Sequence, residues 1–524
     1  MVRKIEDLKL SSRVAQGVAK MGIEQLTPIQ TNAWQLMMDP KVTDVIIHSE
    51  TGSGKTLSYL LPLVELIISG AKIARKDGTI LLIVVPVREL AQQTLDVCHQ
   101  VLRYVPFLIC GILVGGEKRT REKERLRKGQ NILVATPGRL LDHVRTTQCM
   151  DLSRLQYLVV DEADRTLDEG FEADLRQLKS YLDEKQSYFG AVIRKKVLVS
   201  ATLSEKILDL SYFILDNPKL VSSKDTCEWD TQHKKSTEEE DDDKPAKEGK
   251  NKASLPFIFP DALEQRFTIC SPKRKVVTML ALLYWIFTND DKKEETKKAI
   301  VFSNSFSCVD FFHLIASIVT NPFRNGTHPT GNEGLLKDVK FHKVHKEMSQ
   351  LDRAASCAAF IGSSRAVLFC TDVASRGLHF DNVTDVIHFD APLCIETYIH
   401  RTGRTARIGH KGTSHLLLYP HEEEYVDFLV RQGVVLTKRH TSILFYKMMK
   451  NDSSQIGDLL DGEILLQRSF QDAVRGAKEA YEAGKNAFHG WRKSYSAYPV
   501  EQRKYFDSTK LHLRNISRSF GVDT

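Results

Sequence analysis

A chain of 524 residues is too long for a single hydrophobic core, so two or three domains are expected. With 42% hydrophobic and 27% charged residues, the composition is that of an ordinary globular protein and excludes a largely disordered one. The net charge of +7 permits a nucleic-acid partner without pointing to one.

Nine cysteines lie scattered with no Cys-x-x-Cys pair, so neither a zinc site nor a disulfide framework is expected, only reduced core thiols of a cytosolic or nuclear protein. The start of the chain has no apolar leader. Its most apolar stretch, residues 57–69, is too short to span a bilayer and contains Glu65, so no membrane role is expected.

From Asp44 to about Ser204, short apolar runs alternate with helical patterns. Strands are expected at 45–47, 80–85, 132–134, 157–160 and 197–199. Their hydrophobicity is continuous rather than alternating, which suits a parallel sheet covered on both faces by crossover helices. Residues 222–254, with the acidic run Glu238 to Asp243, have little to bury and read as a charged linker or insertion. A second series of strands follows at 299–302, 366–370, 386–389 and 415–419, interrupted by an irregular excursion between Asn321 and Gly334. After about Pro420 the strands stop and the chain becomes mainly helical.

Ser49, Glu50, Thr51, Gly52, Ser53, Gly54, Lys55 and Thr56 stand between a strand and an apolar helix. That is the setting of a phosphate loop, whose backbone amides cradle phosphate oxygens at a helix N-terminus. Lys55 would reach the β- and γ-phosphates of a nucleotide and Thr56 would help hold Mg²⁺. The first position departs from the strict motif, being Ser49 rather than glycine.

Asp161, Glu162 and Asp164 follow the strand 157–160. A carboxylate at a strand end lies where a metal-binding aspartate must, so Asp161 is expected at Mg²⁺ and Glu162 at the attacking water. Asp164 is expected to bond Ser200 or Thr202, a link able to carry nucleotide state to an interdomain face. In the second half, Arg401, Arg404 and Arg407 crowd one short segment, too many charges to bury without anionic partners. Arg404 and Arg407 are read as arginine fingers on the γ-phosphoryl group; a basic surface helix is the plainer alternative.

Taken in order, these motifs resemble those of the DEAD-box RNA helicases over roughly residues 5–419. The resemblance implies an α/β fold of two tandem RecA-like parallel-sheet domains, residues 1–221 and 255–420, with a linker at 222–254 and a helical extension at 421–524. It implies ATP and Mg²⁺ as cofactors and RNA as partner. Gln30, in the segment Thr27 to Gln30, would contact adenine, and Gly377 would approach the nucleotide. Arg88, Gly116, Thr136 and Arg139 in the first domain, and Asn304, Gln350, Arg353 and Thr371 in the second, would contact the RNA backbone. Such contacts set register without reading bases.

Three positions depart from the family. Ile5 replaces an aromatic next to adenine, and Val87 replaces a threonine at an RNA phosphate. His379 stands where an aspartate near the ribose is usual, which implies a lowered, partner-dependent ATPase.

Residues 485–524 resemble the C-terminal extension of nucleolar helicases of ribosome assembly. That likeness implies large-subunit biogenesis, pre-ribosomal RNA, ribosome-assembly proteins as partners, a nuclear and nucleolar location, and a monomer. Between Lys485 and Arg518, eight Lys/Arg face two Asp/Glu. Aromatics interleaved with cations can stack on unpaired bases, but most of Phe488, Tyr495, Tyr498 and Phe506 are expected instead to pack the extension onto the second domain, with some of Arg492, Lys493, Arg503 and Lys504 contacting RNA. The rival readings are a weakly hydrolysing ATP-gated RNA clamp or scaffold, and a double-stranded-DNA translocase.

Overall fold

The computed structural model describes residues 4–8, 10–50, 52–168, 170–189, 192–223, 226–228, 259–260, 262–288, 296–320, 322, 334–336, 338–372, 380, 382–406, 410–452 and 459–523. The chain divides into two compact units, Met1–Ile258 and Phe259–Thr524.

In the first unit the strands are β1 (Asp44–His48), β2 (Leu81–Val84), β3 (Cys110–Leu113), β4 (Ile132–Ala135), β5 (Tyr157–Val160), β6 (Lys195–Ser200), β7 (Lys219–Ser222) and β8 (Thr226–Glu228). They form one sheet in the order β3-β4-β2-β5-β6-β1-β7-β8. Every pairing is parallel except β7 with β8. Along β1 the side chains alternate between two cores: Val45 and Ile47 join one, Ile46 the other. Burial on both faces is what the continuous apolar runs require.

The second unit repeats this plan with β9 (Leu263–Ile269), β10 (Lys297–Phe302), β11 (Lys340–Val344), β12 (Arg365–Cys370), β13 (Asp385–His388), β14 (Gly412–Leu418) and β15 (Thr437–Lys438). The order is β11-β12-β10-β13-β14-β9-β15, parallel throughout.

All nine strands expected from apolar runs are present. Others were not expected: β3, β8, β11 and β15 lie at sheet edges, and β7 and β9 each border a two- or three-residue edge strand. Half-exposed strands carry mixed side chains, as in the Lys-Phe-His-Lys-Val of β11, and give no continuous run. β15 also corrects the expectation that strands cease after Pro420, because the chain returns once to the sheet beside β9.

Helices Glu424–Arg431, Thr441–Asp452, Leu459–Gly476, Lys478–Tyr495 and Leu513–Ser519 follow the last long strand. Their Tyr425, Leu444, Phe470, Phe488, Trp491 and Ile516 belong to the same core cluster as Val301, Phe369 and Leu417 of the sheet. The extension therefore completes the second unit rather than trailing from it. Phe488, Tyr495, Tyr498 and Phe506 are all buried there, while Arg492, Lys493, Arg503 and Lys504 are exposed. Cys98, Cys110, Cys149, Cys270, Cys308, Cys357, Cys370 and Cys394 are free thiols, five of them buried. No helix among the described residues is long and apolar enough to cross a membrane.

Candidate active site

The order β5-β6-β1 sets three motif-bearing loops side by side at the C-terminal ends of neighbouring strands, where α/β sheets bind ligands. The loop after β1 turns through Gly52 at φ 80° and Gly54 at φ 85°, left-handed conformations that favour glycine. Ser49 Oγ donates to Ser53 Oγ at 2.8 Å and Ser53 Oγ to Glu50 O at 2.8 Å, closing the loop. Helix Lys55–Ser69 then begins with Lys55, nearly buried, its Nζ donating to Ser49 O at 3.1 Å. Thr51 lies outside the described residues.

Gln30 sits against this loop. Its Nε2 donates to Gly54 O at 3.1 Å, its Oε1 accepts from Thr27 N at 2.9 Å, and Thr27 Oγ1 donates to Ser53 O at 3.0 Å. A Cβ at Gly54 would lie 2.4 Å from Gln30 Nε2, so the approach as well as the φ demands glycine. Ile5 is buried in the first unit's core, with its N–H donating to Glu24 O at 3.2 Å. Val87 is the N-cap of helix Arg88–Val101 and packs against that same core.

Asp161 is fully enclosed. Tyr59, one turn beyond Lys55, donates its hydroxyl to Asp161 Oδ2 at 2.8 Å, and Glu162 N donates to Oδ1 at 2.9 Å. Burial, then the neighbouring Glu162 charge, push the Asp161 carboxyl up to about 6, while Lys55 and Tyr59 pull the other way. Glu162 has φ 47°, strained for a non-glycine residue, and Arg165 Nη1 holds its Oε2 at 2.6 Å. Asp164 Oδ2 accepts from Ala201 N at 3.0 Å, Thr202 N at 3.1 Å and Thr202 Oγ1 at 3.2 Å. Ser200 instead donates to Thr202 O at 2.6 Å, and its own carbonyl takes the Ser49 N–H at 3.2 Å. His48, beside Lys55, is driven down to about 4 by burial and then by that lysine's charge.

The other half of the sheet edge, β3-β4-β2, gathers a second cluster. Arg88 Nη1 donates to Gly115 O at 3.2 Å, and Gly116 passes so close that a Cβ would lie 2.6 Å from the same nitrogen. Arg139 Nη2 donates to Glu117 O at 2.5 Å. Thr136, half-buried, is the N-cap of helix Pro137–Thr146 that carries Arg139. Beneath them the fully buried Glu122 accepts from Val114 N at 3.3 Å and pairs with His143 at 2.9 Å and Arg139 at 3.0 Å. A cleft of about 420 Å³ lies here, lined by Arg88, Gly116, Lys118, Arg121 and Arg125 among others. The two clusters meet between β2 and β5, where Val84 pairs with Val160 and Asp161 N donates to Val84 O at 2.9 Å.

In the second unit, Asn304, the segment with Gln350 and Arg353, and Thr371 follow β10, β11 and β12, which are sheet neighbours. Gln350 is exposed, Arg353 half-buried, and Thr371 Oγ1 is buried without a partner among the described residues. Arg401 is fully buried because it finds its anion within its own unit: Nε and Nη2 meet Asp372 at 2.5 and 2.9 Å. Arg404 is buried too, its Nε donating to His400 O at 3.3 Å. The alternative of a basic surface helix therefore does not describe this segment. Gly377, His379 and Arg407 lie outside the described residues.

Residues 27–210 match the DEAD/DEAH box helicase model and residues 275–409 the helicase conserved C-terminal domain. The chain belongs to the DEAD/DEAH box helicase family. Residues 477–524 match the C-terminal extension described as ATP-dependent rRNA helicase SPB4-like. The human protein named ATP-dependent DNA helicase DDX31 is 34% identical over 515 residues, covering 95% of this chain. The chain spans 59% of that relative's length. A rice protein named DEAD-box ATP-dependent RNA helicase 17 is 33% identical over 522 residues, covering 96% of this chain and 87% of its own. In fold, the chain is similar to the DEAD-box helicase Mss116 bound to ssRNA and UDP-BeF, with a TM-score of 0.74 at 23% identity over 99% of this chain and 90% of that one.

Tyr59, Arg165 and Glu122 were not singled out from sequence, yet they hold Asp161, Glu162 and Arg139. Spacing was the available signal: Tyr59 is four residues beyond Lys55 on one helix, and Arg165 three beyond Glu162.

Proposed function

We propose that the chain is an RNA-stimulated ATPase that remodels RNA locally. The observation that carries this reading is the single sheet edge in the first unit, which presents Lys55, Asp161, Glu162 and the Asp164–Thr202 link beside the Arg88–Gly116–Arg139 cluster. Lys55 draws ATP phosphates toward the loop amides of residues 49–56. Asp161 and Thr56 would hold Mg²⁺; a buried carboxylate beside a second one is a site of excess negative charge that suits a cation. The ion supplies charge neutralisation for the β- and γ-phosphates when bound.

Glu162 orients the attacking water and takes its proton as the water oxygen bonds to Pγ and the bond from Pγ to the β-phosphate oxygen breaks, giving ADP and phosphate. Arg404 and Arg407 would stabilise the charge that develops on the transferring group. Gln30 serves the base as well as the loop it now braces. Arg88, Gly116, Thr136 and Arg139, with Asn304, Gln350, Arg353 and Thr371, grip the strand's sugar–phosphate backbone.

The SPB4-like extension supports ribosomal RNA precursors as the substrate class, large-subunit assembly proteins as partners and a nucleolar location. A DNA substrate is the second reading, favoured by the name of the human relative, an ATP-dependent DNA helicase. Phosphate release by the wild type and by Glu162→Gln, each with single-stranded RNA, single-stranded DNA or no nucleic acid, tests both. RNA stimulation that disappears in Glu162→Gln is expected. Equal or greater stimulation by DNA moves the assignment to DNA, and no hydrolysis above Glu162→Gln leaves the clamp.

A further inference from the structure

The C-terminal extension reaches the polar network under the second unit's Ser303–Asn304 loop. Asp390, nearly buried, accepts from Ser303 Oγ at 2.7 Å and Asn304 N at 3.1 Å through Oδ2. Its other oxygen accepts from Trp491 Nε1 at 3.0 Å. The next carbonyl, Ala391 O, takes the Tyr498 hydroxyl at 2.6 Å and Asn304 Nδ2 at 2.9 Å. Buried Arg401 closes the network, donating to Asp390 O at 2.8 Å, to Asn304 Oδ1 at 2.6 Å and to Asp372. The loop after β10 and the residue following Thr371 are thus tied together, with two of the donors supplied by the extension.

Small residues make that approach possible. Helix Lys478–Tyr495 lies against helix Phe306–Ile318, and Cys308 Sγ donates to Ala487 O at 3.4 Å. A Cβ at Gly490 would lie 2.5 Å from Ser305 Oγ, and one at Gly484 would lie 3.3 Å from the ring of Phe311. Larger residues there would crowd the helix pair and displace the helix that carries Trp491.

We propose that Trp491 and Tyr498 are positioning residues for RNA binding: the extension fixes the geometry of the Ser303–Asn304 loop from behind, without itself touching RNA at these residues. The role rests on the reading of that loop as an RNA contact. Both Asp390 oxygens are satisfied by donors on opposite sides, so the carboxylate has one orientation. Removing the indole N–H leaves one buried oxygen unpaired and free to turn toward another donor, which loosens the Ser303 and Asn304 bonds on the other.

The test uses the full chain, a non-hydrolysable ATP analogue and a fluorescent single-stranded RNA read by anisotropy. Trp491→Phe keeps an aromatic ring and removes the donor; RNA Kd is expected to rise about 5–10-fold, with analogue affinity within about twofold of wild type. Tyr498→Phe is expected to act in the same direction, about 2–4-fold. Phe470→Leu, in the same core against Phe311 but outside the network, is the control: it should lower Tm and leave RNA affinity at the wild-type value. An unchanged RNA Kd in Trp491→Phe overturns the proposal, as does Phe470→Leu weakening RNA as much at an equal loss of Tm. Should Trp491→Phe not fold, Tyr498→Phe decides alone, and a wild-type Kd overturns it. A wild type that binds no RNA removes the RNA reading itself, and the positioning role falls with it.

Discussion

Tyr59 donates a hydrogen bond of 2.8 Å to Asp161, joining the helix of the phosphate loop to the first carboxylate of the motif after β5. Both groups are buried, so the bond is a charge-assisted one in a low-dielectric setting. Tyr59→Phe removes the donor and keeps the ring. Unfolding in urea at pH 7.5 should show a loss of about 1–3 kcal/mol, and ATP turnover should fall. Equal stability and turnover would show that the bond is incidental.

The same carboxylate sets a pH dependence. Burial and Glu162 hold it at about 6, above the ordinary aspartate value of 3.8, so the folded protein holds this proton more tightly than the unfolded chain. Below about pH 3.8 the group is neutral in both states and carries no penalty. As pH rises to about 6 the penalty of burying the charge grows, and above that it is constant. Asp161→Asn should therefore stabilise the ligand-free protein by on the order of 2–3 kcal/mol at pH 7.5 while abolishing ATPase activity. The gain should shrink as pH falls from 6 toward 4. Denaturation curves for both proteins across that range check the sign.

Glu122 has no exposure and serves three partners at once: Val114 N, His143 and Arg139. Glu122→Ala takes the shared carboxylate from the buried His143 imidazole and from the half-buried Arg139, which keeps Asp142 at 3.6 Å, a change expected to lower stability by about 3 kcal/mol. Glu122→Gln retains an acceptor and should lose less. A urea series on the two variants gives the ranking, and equal losses would mean that the carboxylate charge, not the retained acceptor or volume, holds the cluster.

His379 stands where the family places an aspartate. His379→Asp is expected to tighten ATP binding and raise RNA-stimulated turnover several-fold. Steady-state ATPase assays at saturating RNA read both quantities, and identical constants in the two proteins would dismiss the idea.

Arg492, Lys493, Arg503 and Lys504 are exposed on the extension. Changing all four to alanine should weaken RNA binding and reduce the slope of log Kd against log salt, because fewer phosphate counterions are released. An unchanged slope would place RNA elsewhere.

Much of this architecture was legible because it depends on local rules. Buried parallel strands must be apolar on both faces, so β1, β2 and β5 declare themselves, and a Gly-rich turn between strand and helix does the same for the phosphate loop. The partial exposure of β3 and β11 erased that signal. Arg401 shows a different kind of loss. Its charge demanded an anion, but nothing in the order of residues pointed to Asp372, 29 positions earlier, rather than to a nucleotide phosphate. Trp491 and Asp390, separated by 101 positions, meet across a helix pair whose close packing uses Gly490, a contact no local rule announces.

Asp161 N donates to Val84 O, and Arg88 stands four residues further along that strand's exit. The route from Asp161, proposed at the metal, to Arg88, proposed at RNA, is thus one backbone hydrogen bond plus a short stretch of chain. A link so short acts as a ruler rather than a hinge: repacking β2 against β5 would shift both proposed ligand sites in step, so that neither could be retuned there while the other stayed in place.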